Sequence, residues 1–184
     1  MIEAFEQTGA FLSGHFLLTS GRHSDRYLEK FNLLQWPEQT ERVCRKMAAA
    51  MRDREAVTVV GPTTGGVILS YEVARQLGLR GIIAEANDDG GLSIQRGFKL
   101  EPGERVLVVD DVLTTGGSVV QTIDAVRRAG GEPVGVAVMV DRTGGTADFG
   151  LPFFAATEVE MESYDPAQCP LCRDGVALRN PKRE

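Results

Sequence analysis

No stretch of this 184-residue chain holds the roughly 18 to 20 consecutive apolar residues that a bilayer-spanning helix requires, which excludes a helical membrane protein. Cysteine is scarce. Its three copies are Cys44, alone in a helix-like stretch, and the pair Cys169 and Cys172 in "CPLC", so the chain is not a disulfide scaffold. Basic charge is also short, with 20 Lys and Arg against 26 Asp and Glu, a formal net charge of -6. That balance argues against a nucleic-acid partner, whose non-specific affinity rests on phosphate neutralisation. It leaves room for a small anionic substrate, because a local nest of backbone amides can hold one inside an acidic protein. The opening "MIEAFEQTGAF" has acids where a secretory signal needs a basic start and an apolar middle, so the expected location is cytoplasmic. No repeat, low-complexity tract or linker divides the sequence, and a single domain over 1–184 is expected.

What is present is an alternation. A short helix is expected over residues 2 to about 12, then strand, turn and strand through "GHFLLTSGRHSDRYLEKFNLL", then a helix over 37–52 with Pro37 at its first position. "AVTVV" (56–60), "GIIAEA" (81–86), "RVLVVDD" (105–111), "PVGVAVMVDR" (133–142) and "PFFAATEVEM" (152–161) read as strands. Helices are expected over 67–77 and 117–129, an edge or hairpin strand over 92–100, and a surface-packed tail from 165 to 184. Apolar strands separated by helices indicate an α/β fold with a mostly parallel central sheet flanked by helices. Ligands of such sheets bind beyond the carboxyl ends of the strands, where the loops at 61–66, 84–91, 110–118 and 141–146 converge. Residues 1 to about 36 would form a small N-terminal flap over that end.

The stretch "VLVVDDVLTTGGS" carries the most chemistry. "TTGGS" (114–118) has the parts of an anion nest: glycines permit tight geometry, backbone N–H groups turn inward, and Thr and Ser hydroxyls add donors before a helix N-terminus. Asp110 and Asp111 would repel a phosphate in that nest unless they contact something else. Vicinal ribose hydroxyls and Mg2+ both meet that demand. A phosphate nest preceded by a diol-binding acidic pair describes a ribose 5-phosphate site.

This stretch resembles the phosphoribosyl pyrophosphate (PRPP) motif of type I phosphoribosyltransferases. The resemblance implies that Asp110 and Asp111 hold the ribose hydroxyls and that Thr114, Thr115, Gly116, Gly117 and Ser118 bind the 5-phosphate. Nearly the whole chain is similar to the orotate phosphoribosyltransferase family in its short bacterial branch. "GHFLLTSGRHSDRYL" (14–28) looks like that family's N-terminal flap, with His23 and Tyr27 at base-contacting positions and Leu28 where a second aromatic usually stands. "VVGPTTGGVILS" (59–70) resembles the loop for the pyrophosphate end of PRPP, which puts Thr64 and Gly65 on the substrate. "VMVDRTGG" (138–145) matches a strand-end arginine, here Arg142, on the orotate carboxylate, with Thr114 also beside orotate. A guanidinium suits that task because it grips a carboxylate with two parallel N–H bonds.

The resemblance implies Mg-dependent transfer of ribose 5-phosphate from PRPP to orotate in de novo pyrimidine biosynthesis, with Mg2+ as cofactor reached through the substrate, and a homodimer. A phosphoribosyltransferase for another base and a catalytically weak PRPP-binding regulator are the alternatives. The chain departs from the family in its cations: Glu85 and Ala86 stand where an Arg-Lys pair is usual, and Gly65 replaces a frequent lysine. Arg96 and Lys99 are the candidate catalytic replacements. "CPLC" has the inner spacing of half a zinc knuckle or a redox pair. With no second pair or suitably placed histidine expected nearby, free thiols, a disulfide and a metal shared between subunits all stay open, and His15 is expected as a packed or surface residue.

Overall fold

The structure, a computed structural model, describes residues 2–18 and 20–181. The chain opens with α1 (Ile2–Gln7), then a hairpin of β1 (Phe11–Leu17) and β2 (His23–Leu28), then α2 (Lys30–Leu34) and α3 (Pro37–Met51). The first helix is shorter than its sequence pattern suggests, because Phe11 is already paired with Leu28 across the hairpin. The short α2 has no sequence forecast. It starts where the Glu29 carboxylate accepts the Phe31 N–H, which satisfies a donor left orphaned at the helix start.

The rest builds one six-stranded sheet. Its strands are β3 (Thr58–Pro62), β4 (Arg80–Ala86), β5 (Leu92–Ile94), β6 (Arg105–Leu113), β7 (Glu132–Asp141) and β8 (Phe153–Glu158), with α4 (Gly65–Leu77) between β3 and β4 and α5 (Gly117–Arg128) between β6 and β7. Spatial order is β5-β4-β3-β6-β7-β8, and every pairing is parallel except β4 with β5. The edge strand expected over 92–100 is only three residues long. Arg96 and Gly97 both take positive φ, +54° and +75°, and that turn ends the pairing.

The sheet has a core on each face. Leu107 and Val109 pack with Val43, Met47, Leu69 and Val73 of α3 and α4. Val106 and Val108 pack with Val119, Ile123 and Val126 of α5. Side chains alternate across a pleated strand. Through Val109, odd-numbered β6 residues therefore face α3 and α4 and even-numbered ones face α5; the phase is reversed at the strand's end, where Val112 packs on the α3–α4 core and Leu113 in the α5 core.

The tail does more than lie on the surface. Tyr164 exchanges two backbone hydrogen bonds with His23 at the start of β2, and Arg179 exchanges two with β1, donating to His15 and accepting from Leu17. Between them a short α6 (Pro170–Arg173) places Cys169 and Cys172 against the hairpin.

Candidate active site

The alternation along β6 resolves the apparent fault of two adjacent acids. Asp110 continues the even-numbered face and Asp111 the odd-numbered one, so their carboxylates lie on opposite sides of the sheet. Ser118 Oγ, at the start of α5, donates to Asp110 Oδ2 over 2.5 Å, and the Asp111 N–H donates to Asp110 Oδ1 over 2.8 Å. Asp110 is 4% exposed. Burial, and after it the Asp111 charge, pushes its carboxyl up to about 6, against the opposing pull of those two hydrogen bonds.

Asp111 looks the other way. Its Oδ2 lies 2.6 Å from Lys30 Nζ, and its Oδ1 accepts the Val112 N–H over 2.6 Å. Gly65 makes room for it: a Cβ built there would collide with the Asp111 carboxylate. The glycine that stands where a lysine is frequent leaves this space to the Asp111 carboxylate. Lys30 was not singled out from sequence. Its only signal is an acid-lysine pair after an aromatic, with no motif spacing to flag it.

The nest follows directly. Gly116 takes φ +81° as the N-cap of α5 and is buried, with Phe149 only 3.3 Å from where a Cβ would sit. Thr114, Thr115, Gly117 and Ser118 are exposed at the mouth. A pocket of about 460 Å3 opens here, bounded by Thr114, Thr115, Gly116, Thr143, Asp148 and Phe149. A larger hollow of about 720 Å3, between Gln7, Thr8, Asn32, Trp36 and Gln39, lies on the helical side and holds none of the strand-end acids.

Arg142 follows the last residue of β7. It forms no salt bridge among the described residues, and its Nε is buried with no hydrogen-bond partner. Burial holds the guanidinium below its ordinary pKa, against the nearby Tyr27 phenol. Tyr27 is itself pushed up, first by burial and then by Glu29, while Lys30 and Arg142 oppose the shift. Asp141 Oδ2 and Thr143 Oγ1 are also buried without partners. Three unsatisfied polar atoms on consecutive residues are costly unless a ligand meets some of them.

The other expected residues are placed by their partners. His23, expected on the base, is only 6% exposed, and its Nδ1 lies 2.9 Å from His15 Nε2 and 3.3 Å from Cys172 Sγ. That ring is committed to a different cluster. Arg96 stands beside the end of β4 but gives both Nε and Nη2 to the Glu85 carboxylate, the latter over 2.7 Å. Lys99 is displaced further. Its carbonyl accepts from Arg80, the first residue of β4, so its backbone is anchored at the amino end of the sheet. Roughly 13 Å of strand separates that end from the site. Thr64 is exposed and precedes Gly65 at the start of α4.

The chemistry of the donors limits any cation here. Both acids already accept two hydrogen bonds or an ion pair, and they point to opposite faces, so they form no shared cage. An Mg2+ fits only as an ion carried on substrate oxygens, which is a common way for this metal to bind.

The phosphoribosyl transferase domain model matches residues 32–149. An orotate phosphoribosyltransferase of Desulforamulus reducens is 48% identical over 181 residues, covering 98% of this chain and 94% of the relative. The corresponding protein of Pelotomaculum thermopropionicum is 49% identical over 181 residues, covering 98% and 95%. Among solved structures, the orotate phosphoribosyltransferase of Mycobacterium tuberculosis H37Rv superposes with a TM-score of 0.70 at 27% identity, covering 85% of this chain and 94% of that one.

Proposed function

The chain belongs to the orotate phosphoribosyltransferases, with the type I phosphoribosyltransferase fold, and from that premise we propose how its own residues divide the reaction. The enzyme is a pentosyltransferase of pyrimidine biosynthesis: ribose 5-phosphate passes from PRPP to orotate, giving orotidine 5'-monophosphate and pyrophosphate. The amides and hydroxyls of Thr114–Ser118 take the 5-phosphate. Asp110 and Asp111 accept from the ribose hydroxyls, one from each side of the sheet end, and their charge favours the electron-poor ribosyl transition state. Thr64 and the backbone at Gly65 face the pyrophosphate end. Mg2+, arriving on PRPP, would neutralise the leaving pyrophosphate, with the two acids as its outer partners.

Arg142 carries the reading of the base. Its partly buried, unpaired guanidinium beside Tyr27 is built for a planar anion, and a carboxylate on a pyrimidine ring supplies one. Thr114 lies at the same strand end. Orotate presents a deprotonable ring nitrogen, so no protein nucleophile is needed. The protein's work is alignment, charge placement and water exclusion. We place the reaction in the cytoplasm; no described helix is long and apolar enough to cross a membrane. A homodimer belongs to the same reading, and the exposed side chains of Phe31, Trp36 and Tyr71 offer apolar surface for it.

Steady-state orotidylate formation tests the assignment. Saturable turnover in both PRPP and orotate is expected, with Arg142→Ala raising the orotate KM far more than the PRPP KM. An equal rise in both, or wild-type product at the uncatalysed background, would overturn the role of Arg142 or of the site as a whole.

A further inference from the structure

Four ligating side chains meet at a corner that the transfer reaction does not use. His15, His23, Cys169 and Cys172 each turn one ligand atom into a common space, and the four atoms lie within 4.8 Å of one another. His15 Nε2 lies 2.9 Å from His23 Nδ1, 3.4 Å from Cys169 Sγ and 3.7 Å from Cys172 Sγ, and His23 Nδ1 lies 3.3 Å from Cys172 Sγ. A tetrahedron with Zn–N of about 2.0–2.1 Å and Zn–S of about 2.3 Å requires ligand separations of about 3.3–3.8 Å. Those four spacings sit in and just under that range, and the remaining pairs lie within 4.8 Å.

We propose that these four residues bind one structural zinc ion within a single chain, fastening the C-terminal tail to the N-terminal hairpin.

The outer partners support a metal over a chance cluster of thiols and rings. His15 Nδ1 lies 2.7 Å from the Val176 carbonyl, which can only accept, so Nδ1 carries the proton and Nε2 presents its lone pair to the cluster. This is the orientation of a metal-ligating histidine with its ring held by a backbone oxygen. His15 is 1% exposed, His23 6% and Cys169 3%, with Cys172 at the exposed rim. Two neutral imidazoles and two thiolates carry a charge of about -2, which a divalent ion cancels. Nitrogen and sulfur donors select zinc over the hard Mg2+ of the substrate. Four protein ligands fill the tetrahedron and leave no open position, which marks a structural site and not a catalytic one.

The sequence conceals the set because its halves lie far apart in the chain. The "CPLC" pair provides two ligands, and the hairpin register provides the others: Leu17 pairs with His23, and an irregularity between Ser13 and Phe16 lets the two rings approach to 4.8 Å between centroids. The expectation that no histidine stands near the cysteines is thereby corrected. The separation between His15 and Cys169 is 154 residues, so the ion would close almost the whole chain into a loop. Long loops gain the most from closure in the unfolded state.

The decisive measurement is metal content of the full, untagged chain purified under reducing conditions, followed by zinc removal with a chelator and titration with zinc or cobalt alone. About one tightly held zinc per chain is expected, with cobalt giving the visible bands of tetrahedral coordination and a thiolate charge-transfer band. Cys172→Ser, at the exposed rim, should weaken zinc binding at least about tenfold and lose part of the charge-transfer band. Stoichiometric iron or copper in place of zinc would overturn the proposal. So would a wild-type protein that stays metal-free after reconstitution with zinc and reductant, whatever the variant does. The proposal is independent of the orotate reading, since each can fail with the other intact.

Discussion

Strand β2 links two clusters of ligating side chains with opposite designs. At its start, His23 joins His15, Cys169 and Cys172 in a set of soft donors, three of the four nearly inaccessible. At its other end Tyr27 lies near Arg142, and Lys30, just beyond the strand, pairs with the hard donor Asp111, beside an exposed nest and a pocket. The first cluster has its valences turned inward on one another. The second keeps polar groups, including Arg142 Nε and Asp141 Oδ2, without protein partners. Convergence alone therefore does not distinguish a reactive centre from a fastening. The distinguishing property is whether buried polar groups remain without protein partners.

The largest effect is expected at Asp111. Asp111→Asn should lower kcat/KM by roughly 10^2–10^3-fold, the scale of losing one positioned charge, while metal content stays as in wild type. A mild loss would mean that the hard cluster is as structural as the soft one. Next is Arg142→Ala, expected to raise the orotate KM roughly 30-fold, equivalent to about 2 kcal/mol for a truncated charge contact. Isothermal titration or steady-state kinetics reads it directly.

Zinc removal should act on stability and not on the transfer step. A fall in Tm of about 5 °C or more is expected on chelation, reversed by zinc, with PRPP binding largely retained. Loss of PRPP binding in the metal-free but folded chain would merge the two clusters into one functional unit. A smaller effect is expected at the end of β4. Ala86→Lys should raise turnover several-fold by returning a cation beside the Glu85–Arg96 pair, and unchanged or lower turnover would count against a missing charge there.

The smallest effect is in pH. The Asp110 carboxyl titrates at about 6 in the folded chain, above its ordinary 3.8. Its protonated form is the one folding favours. The contribution to stability is fully present below 3.8 and is lost as pH rises through about 6. Binding runs the other way, since the ribose hydroxyls need the carboxylate. PRPP affinity should fall about twofold on descending to pH 6, from half-protonation of this one group. Asp110→Asn should bind weakly at every pH and lack that step, and a variant that keeps it would assign the titration elsewhere.

The main strands and their mostly parallel arrangement, though not their spatial order, were legible because each was a compact apolar run and most were separated by helices of adequate length. The acids and the nest were legible because their spacing along one strand and turn is fixed by the backbone. The missed features all depend on pairs distant in sequence. Lys30 reaches Asp111 only through the turn into α2, and His15 reaches Cys169 only because Arg179 and Tyr164 pair with the hairpin. His23 shows the same dependence: the motif gives its place in the strand, while the tail determines the neighbours of its Nδ1. Arg96 and Lys99 were expected over the site on reach alone. Arg96 is instead paired with Glu85 at the end of β4, and the Lys99 backbone is held by Arg80 at the amino end of that strand.

The alternation of Asp110 and Asp111 across β6 makes the site sensitive to reading phase. Ser118 waits for an acid on one face, and Lys30 for an acid on the other. Deleting any single residue from Arg105–Val109 would keep every chemical group of the motif in order. It would nevertheless shift the strand by half a pleat period or force its pairing with β3 and β7 to slip. Substitutions among the valines test how well this strand packs, whereas a one-residue deletion tests its counting, and the division of labour between the two aspartates depends on the count.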